Sequence, residues 1–162
     1  MLLVEQLQPR RHDRAAFACG EPALDSYLQH KAVQHHRDGI STTHVLVDAG
    51  EPSSILGYYT LSAAQLLLMD LQETDRRRMP AYPVPAVRMG RLAVSMRAQG
   101  NGHGDYLLAH AVARSLALRE RLGVRVVVVD ALHEKAAGFY RAYGFREATT
   151  DPRTLYLPLG KG

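Results

Sequence analysis

Apolar side chains recur along the chain with two periods, one that matches helices and one that matches strands. Helical spacing covers three stretches, and Pro22 suits the first turn of the earliest of them. These stretches predict helices over residues 22–37, 104–121 and 134–143. Gly123 and Gly144 follow the second and third stretches, where a glycine commonly closes a helix.

Short runs rich in valine, leucine, threonine and tyrosine separate the helical stretches and predict strands. The turn at 48–54 joins two such runs into a hairpin, and the valine run at 124–129 is typical of a buried strand. Strands are expected over residues 2–7, 40–48, 55–63, 86–95, 124–129, 145–150 and 154–159. The element order is therefore strand, helix, hairpin, irregular segment, strand, helix, strand, helix and a final strand pair.

Residues 64–84 form the irregular segment, which contains a basic run and ends in closely spaced prolines that favour extended backbone. The run consists of Arg76, Arg77 and Arg78. We weigh two interpretations equally: the arginines are solvated surface, or they line the entrance for a substrate.

Composition narrows the class of protein. The length of 162 residues predicts a single domain over residues 1–162, and 46% hydrophobic with 22% charged residues is ordinary for a globular core. The net charge of +4 favours an anionic ligand or partner weakly, and a charge that serves only solubility stays open. Cys19 is the one cysteine, so a reducing, cytoplasmic compartment is expected, with no signal peptide and no membrane span.

Three histidines invite a metal hypothesis: His30, His35 and His36. No cysteine or acidic residue stands at ligand spacing from them, and a solvated helix face explains three histidines easily. We therefore expect no metal site.

Strand 86–95, a glycine-dense turn and the helix from 104 follow one another directly. Glycines permit positive φ and leave no Cβ between the amides and a ligand, and the helix N-terminus adds positive potential. This context favours a phosphate cradle over a plain connecting loop. The lysine-bearing P-loop pattern and the dinucleotide fingerprint are both absent, because the three glycines at 100, 102 and 104 alternate and no lysine follows.

The spacing Gln99-x-x-Gly102-x-Gly104 after a strand resembles the acyl-CoA pyrophosphate loop of GNAT N-acetyltransferases. The resemblance implies acetyl-CoA as co-substrate, an α/β (α+β) GNAT fold with a mixed, twisted sheet and helices on both faces, and a splay between the parallel strands 86–95 and 124–129. It also implies that main-chain groups hold the pyrophosphate and the pantetheine arm. The pyrophosphate residues would be Gln99, Gly100, Asn101, Gly102, His103 and Gly104, and the pantetheine residues Leu92, Ala93 and Val94.

The segment Phe139-Tyr140-x-x-x-Gly144-Phe145 resembles a second GNAT motif, which implies that the Tyr140 hydroxyl faces the thioester sulfur and acts as acid. A phenol with pKa about 10 is protonated at neutral pH and can donate to a thiolate of pKa about 8.5. The alternative is that Tyr140 only packs in the core, as we expect for both phenylalanines.

No general base is evident. Asp130 and Glu134 are nearby candidates, but strand termination and a helix first turn explain them better. An α-amine, with pKa about 7.7–8.0, needs a base less than a lysine does, which mildly favours an α-amine as acceptor.

Longer motifs resemble the GNAT toxins of type II toxin–antitoxin pairs over residues 2–159. They are Phe17-x-Cys-Gly-x-x-x-Leu-Asp-x-Tyr-Leu, Gly57-Tyr-Tyr-Thr-Leu-Ser, Tyr82-Pro-Val-Pro and Gly90-Arg-Leu-Ala-Val. The resemblance implies an aminoacyl-tRNA substrate acetylated on its α-amine, a ribbon-helix-helix antitoxin and a homodimer. Ala81 and Ser95 depart from it, since those toxins often carry a basic and an acidic residue there.

Basic side chains neutralise RNA phosphates, and the candidates are Arg76, Arg77, Arg78, Arg88 and Arg91. Two alternatives remain open. One is a GNAT enzyme for a small amine or a protein N-terminus, and the other is a non-catalytic acyl-CoA-binding module.

Overall fold

A computed structural model describes residues 1–79 and 83–160. The departure at Ala81 and the start of the motif at Tyr82 lie outside the described residues. Five α-helices are present in the described ranges: α1 (Pro22–His30), α2 (Ala32–Arg37), α3 (Glu73–Arg76), α4 (His103–Leu118) and α5 (Glu134–Tyr143).

Seven strands of the described chain form one mixed sheet in the order β1-β2-β3-β4-β5-β7-β6. Their bounds are β1 (Leu2–Gln6), β2 (Thr42–Asp48), β3 (Gly57–Leu66), β4 (Val84–Val94), β5 (Val126–Asp130), β6 (Arg146–Glu147) and β7 (Thr154–Pro158). The hairpin expected from the sequence is the antiparallel pair β2–β3. β4 pairs in parallel with β5 from Ala86 to Met89, and β4 itself continues to Val94.

The chain divides into two compact units, and the division falls inside β3, β4 and α4. The first unit comprises residues 1–62 and 90–111. Its core gathers apolar side chains from α1, β2, β3 and β4, with the rings of Phe17 and Tyr58 in edge contact at 5.5 Å. Burial of these large side chains stabilises the unit, because each contributes about 1.5–3 kcal/mol when removed from water.

The second unit comprises residues 63–89 and 112–162, of which the structure describes all but 80–82 and 161–162. β5 lies between β4 and β7, and four consecutive valines of β5 are fully buried. Tyr156 of β7 is also fully buried, and its hydroxyl donates to the carboxylate of Asp75, which accepts a second bond from Arg146. This polar cluster fastens the segment around α3 to the final strand pair.

Two sequence expectations about helix ends are wrong. The helix expected over 22–37 is two helices, because Lys31 leaves helical geometry at φ −123° and the Tyr27 side chain then bonds to His35 of α2. Gly123 does not cap α4. The helix ends at Leu118, and turn-like bonds from Arg119 and Arg121 to the carbonyl oxygens of Leu116 and Leu118 close it before the glycine.

Candidate functional site

The turn between β4 and α4 is held to the first unit at several main-chain positions. The Ser95 N–H donates to Leu56 O at 2.8 Å, and the Met96 N–H donates to Ala18 O at 2.8 Å. Ser95, the departure from the toxin pattern, is 4% exposed. A buried position bonded through its main chain suits a small side chain, and a carboxylate there would need a partner for its charge.

The side chain of Gln99 anchors the glycine turn from within. Its Nε2 donates to Val94 O and to Cys19 O, both at 3.0 Å. Asn101 adds a local bond, from Nδ2 to Ala98 O at 3.0 Å. The Nε2 group of Gln99 is therefore committed to two protein carbonyls.

Two of the three glycines take the positive φ that the sequence pattern favours. Gly100 has φ 85° and Gly102 has φ 78°, and a Cβ built on either would meet no atom within 4 Å. Gly104 lies instead in the first turn of α4, so what distinguishes it is the lack of a side chain and not a positive φ. Both left-handed glycines thus face open space beside the helix N-terminus.

This turn fits a diphosphate. The first N–H groups of any helix lack intrahelical acceptors, and α4 begins at His103, directly after the open glycine turn. The macrodipole adds positive potential at the same end. A flat, side-chain-free surface of N–H donors is what the phosphates of a nucleotide require.

Tyr140 lies in the second unit, on α5, and its side chain is buried at 6% exposure. Its ring contacts Phe139 at 5.3 Å and Phe145 at 5.6 Å between centroids. Burial, and then the negative charge of Asp130, raise the pKa of the Tyr140 hydroxyl well above its ordinary value. The Tyr140 hydroxyl therefore stays protonated at neutral and moderately alkaline pH, and it is a weaker acid than an exposed tyrosine.

Both carboxylates considered as bases have protein partners. Asp130, at the end of β5, forms an ion pair with Arg88 and accepts a 3.0 Å bond from Thr154 Oγ1. Glu134 pairs with Arg141 in the first turn of α5. These contacts agree with the structural roles that the sequence favoured for the two acids.

The candidate arginines have different surroundings. Arg76, Arg77 and Arg78 are exposed on and just after α3, while Asp75 of the same turn points inward to Tyr156. Arg88 is occupied by Asp130. In the first unit, the Arg91 guanidinium lies over the ring of Tyr27, with its central carbon 3.5 Å from the ring centroid.

Two of the three histidines and Cys19 have identifiable surroundings in the structure. His35 bonds to Tyr27 and His36 to Gln6, and the described residues contain no group of three or more potential metal ligands. Burial, reinforced by Asp25, raises the pKa of the Cys19 thiol to about 12, so this thiol is not a nucleophile at neutral pH. No helix within the described ranges has the length and apolar character needed to cross a membrane.

Sequence reasoning missed two residues that lie against or beside candidate arginines, one in each unit. Tyr27 is the platform for Arg91, and its only signal was its place in the motif Leu-Asp-x-Tyr-Leu. Asp75 anchors the arginine run, and the signal was a single acid directly before three arginines.

Comparison with known proteins identifies the class. Residues 54–147 match the family model of the acetyltransferase (GNAT) domain, a range that contains the glycine turn and Tyr140. The chain therefore belongs to the GNAT acetyltransferase family, and its co-substrate is acetyl-CoA. The predicted fold and enzyme class are confirmed.

Particular relatives are similar over nearly the whole length. A tRNA-acetylating toxin of Mycobacterium tuberculosis (strain ATCC 25618 / H37Rv) is 37% identical over 153 residues, which is 92% of this chain and 90% of that protein. The structure of AtaT complexed with acetyl-methionyl-tRNAfMet matches with a TM-score of 0.90 at 31% identity, covering 98% of this chain and 95% of that one.

A second similar structure contains an antitoxin segment and acetyl-CoA. It is a tyrosine-to-phenylalanine mutant of AtaT bound to the C-terminus of the antitoxin AtaR and acetyl-CoA. It matches with a TM-score of 0.81 at 31% identity, covering 97% of this chain and 92% of that one. The likeness to GNAT toxins that the sequence motifs suggested is confirmed.

Proposed function

We propose that this chain is the toxin of a type II toxin–antitoxin pair and acetylates the α-amine of aminoacyl-tRNA, which blocks translation. The observation that carries the proposal is the 37% identity to a tRNA-acetylating toxin across 92% of the chain. The neighbour solved with acetyl-methionyl-tRNAfMet supports the same acceptor chemistry, since that product bears its acetyl group on an aminoacyl-tRNA.

The site residues keep the roles that the family resemblance implies. Acetyl-CoA supplies the acetyl thioester. Main-chain N–H groups of residues 99–104 hold its diphosphate, and the main chain of residues 92–94 binds the pantetheine arm. The open, left-handed glycines at 100 and 102 support this assignment, because a side chain at either would stand between donors and phosphate.

Tyr140 is the proposed acid. Its hydroxyl is protonated at neutral pH, where an α-amine is already partly neutral, because burial raises the pKa of Tyr140. It can therefore donate a hydrogen bond to the sulfur as negative charge develops there, a contribution that typically accelerates a reaction 10²–10⁴-fold. An α-amine with pKa about 7.7–8.0 is partly neutral at pH 7, so the acceptor needs no strong base.

The surface arginines supply the electrostatic attraction. Arg76, Arg77 and Arg78 are exposed, and Arg91 carries a stacked guanidinium, so these four are the proposed phosphate contacts. Arg88 is proposed as a weaker contact, because binding a phosphate would compete with its ion pair to Asp130.

The proposed partners follow from the neighbours. We propose an antitoxin of the ribbon-helix-helix class, a homodimer and a cytoplasmic location. The neighbour bound to the C-terminus of the antitoxin AtaR supports an antitoxin partner.

The deciding experiment incubates purified chain with radiolabelled acetyl-CoA and charged tRNA, then hydrolyses the ester and identifies the released N-acetyl amino acid. Uncharged tRNA and N-formylated aminoacyl-tRNA are the controls, because neither offers a free α-amine. Among these three RNAs, we expect label only on the aminoacyl-tRNA with a free α-amine. Label on free methionine amide or on a peptide N-terminus, with none on aminoacyl-tRNA, would support the small-amine alternative. Binding of acetyl-CoA without transfer to any amine would support the binding module.

A cellular experiment tests the toxin assignment. Induced expression should arrest growth, co-expression of the neighbouring reading frame should relieve the arrest, and Tyr140→Phe should abolish it. Continued growth under full expression of active enzyme would contradict the toxin role.

A further inference from the structure

Arg91 and Tyr27 form a stacked pair, and the proposed function uses the charge of Arg91 but gives Tyr27 no role. The guanidinium carbon of Arg91 lies 3.5 Å above the Tyr27 ring centroid. A guanidinium packed flat on an aromatic face keeps its N–H groups in the plane of the stack, where they remain available to an oxyanion. The contact therefore orients the side chain without consuming its donors.

The ring beneath Arg91 is rigidly held. Tyr27 is 3% exposed, and its hydroxyl contacts Ser41 Oγ at 2.7 Å and His35 Nδ1 at 2.9 Å. The imidazole of His35 packs edge-on against the same ring at 5.2 Å between centroids. Because the ring is fixed by contacts on several sides, it presents one face to the guanidinium, and Arg91 loses little further freedom when it binds a ligand.

The donors of Arg91 have no acceptor among the residues that the structure describes. Within residues 1–79 and 83–160, the guanidinium makes no hydrogen bond and no ion pair, in contrast to Arg11 with Glu5 and Arg88 with Asp130. Among the described residues, the buried side-chain nitrogens and oxygens that lack a hydrogen-bond partner include none from Arg91, so the Arg91 nitrogens are accessible to solvent. A half-buried guanidinium with free, solvent-facing donors is a receptor for an anion, and its fork geometry matches phosphate.

The position of the pair on β4 favours the acceptor as the source of that phosphate. Arg91 directly precedes residues 92–94, the proposed pantetheine-binding segment, and strand residues advance about 3.3 Å each. The donor's diphosphate is assigned to the glycine turn, further along the chain. An aminoacyl-tRNA carries phosphodiesters at its 3′ end, close to the reacting amine.

We propose that Arg91, stacked on Tyr27, is the receptor for a backbone phosphate near the 3′ end of the aminoacyl-tRNA, and that Tyr27 is its positioning residue. The proposal rests on the proposed function, because it requires an RNA acceptor. The shared chemistry is phosphate recognition, and coenzyme A is the second possible source of the phosphate.

The test compares four variants of the full chain: Arg91→Lys, Arg91→Gln, Tyr27→Leu and Tyr27→Phe. Lysine keeps the charge but loses the planar fork, and phenylalanine keeps the stacking face but loses the hydroxyl bonds. Each is assayed for acetylation of aminoacyl-tRNA and of methionine amide, which has the α-amine but no phosphate. Arg10→Gln is the matched control, because it removes the same charge from an exposed arginine of the same unit.

For Arg91→Lys and Tyr27→Leu we expect KM for aminoacyl-tRNA to rise about 10-fold relative to KM for methionine amide, with Tyr27→Phe closer to wild type. For Arg91→Gln we also expect the slope of log kcat/KM against log salt concentration to become shallower by about 0.7, the value for one lost contact to single-stranded nucleic acid. Arg10→Gln should leave the KM ratio unchanged.

Three outcomes would overturn the proposal. The first is an unchanged KM ratio and salt slope in both Arg91 variants. The second is an equal loss with both acceptors. The third is weaker acetyl-CoA binding by calorimetry with an unchanged KM for aminoacyl-tRNA, which would show that Arg91 binds a phosphate of coenzyme A. Thermal unfolding identifies any Tyr27 variant that fails to fold, and the Arg91 variants then decide alone. If the wild-type protein does not acetylate aminoacyl-tRNA, the proposed function itself is contradicted.

Discussion

Gln99 Nε2 lies 3.0 Å from the carbonyl oxygen of Val94, and it donates a second bond of the same length to Cys19 O. One side chain therefore connects the glycine turn to the end of β4 and to the segment between β1 and α1. Removing it should loosen the turn without changing the glycines, because both carbonyls lose a donor.

For Gln99→Leu we expect the Kd for acetyl-CoA to rise about 10-fold, since two hydrogen bonds at about 0.5–1.5 kcal/mol each are lost. Isothermal titration calorimetry measures the change. Gln34→Leu is the control, because Gln34 Nε2 bonds only to Asp38 on an exposed helix. An unchanged Kd in Gln99→Leu would show that the turn keeps its shape without this anchor.

Gly102→Ala should weaken both the fold and cofactor binding. The residue has φ 78°, and the left-handed region costs a non-glycine residue about 1–2 kcal/mol, although the added Cβ itself meets open space. Gly123→Ala is the matched control, since Gly123 does not have positive φ and its added Cβ would lie 4.0 Å from Pro85. Urea unfolding and calorimetry with acetyl-CoA should show losses in the first variant only.

Tyr140→Phe should reduce kcat about 10²–10⁴-fold while the Kd for acetyl-CoA stays within about twofold, because only the hydroxyl group is removed. The pH profile provides a second check. Burial and the charge of Asp130 raise the pKa of Tyr140, so the hydroxyl is still protonated near pH 10. The wild-type rate should therefore show no decline from tyrosine ionisation as pH rises to about 10. A decline that disappears in Tyr140→Phe would contradict the buried, protonated acid.

Asp75 should make stability depend on acid pH. Burial disfavours its charged form, but hydrogen bonds from Arg146 and Tyr156 outweigh burial, and the pKa of Asp75 lies below its ordinary value. Because the folded pKa is lowered, the stabilisation is complete above the unfolded pKa of about 3.9 and is lost as pH falls through the folded value.

We expect Asp75→Asn to lower the free energy of unfolding by about 1–3 kcal/mol at pH 7, with the deficit shrinking below pH 4. Urea titrations at pH 7 and pH 3 measure both numbers. Glu73→Gln is the control from the same segment, since its exposed pair with Arg77 should be worth about 0.3–0.5 kcal/mol. A deficit that is equal at the two pH values would contradict the role of the Asp75 charge.

Much of the fold was legible in local patterns. The hairpin β2–β3, the buried valine strand β5 and the helix α5 with Gly144 behind it all follow from periods and turn residues within short windows. The glycine turn could be predicted for the same reason, because the strand, the glycines and the start of the helix follow one another directly in the sequence. Helix ends were less certain. At Lys31 the helix breaks and the Tyr27 hydroxyl bonds to His35 of the next helix, and before Gly123 local turn-like bonds from Arg119 and Arg121 end α4 early.

The sequence alone thus identified the enzyme class, its co-substrate and the turn and tyrosine proposed to act on it, because those features depend on residues that are neighbours in the chain. Contacts between side chains that are far apart in the sequence became known only from the tertiary structure. The stack of Arg91 on Tyr27, the cluster of Asp75 with Tyr156 and Arg146, and the anchor from Gln99 to Cys19 each join residues from separate elements. A side chain's partners are set by which strand and helix faces meet, and short-range periodicity does not encode that choice.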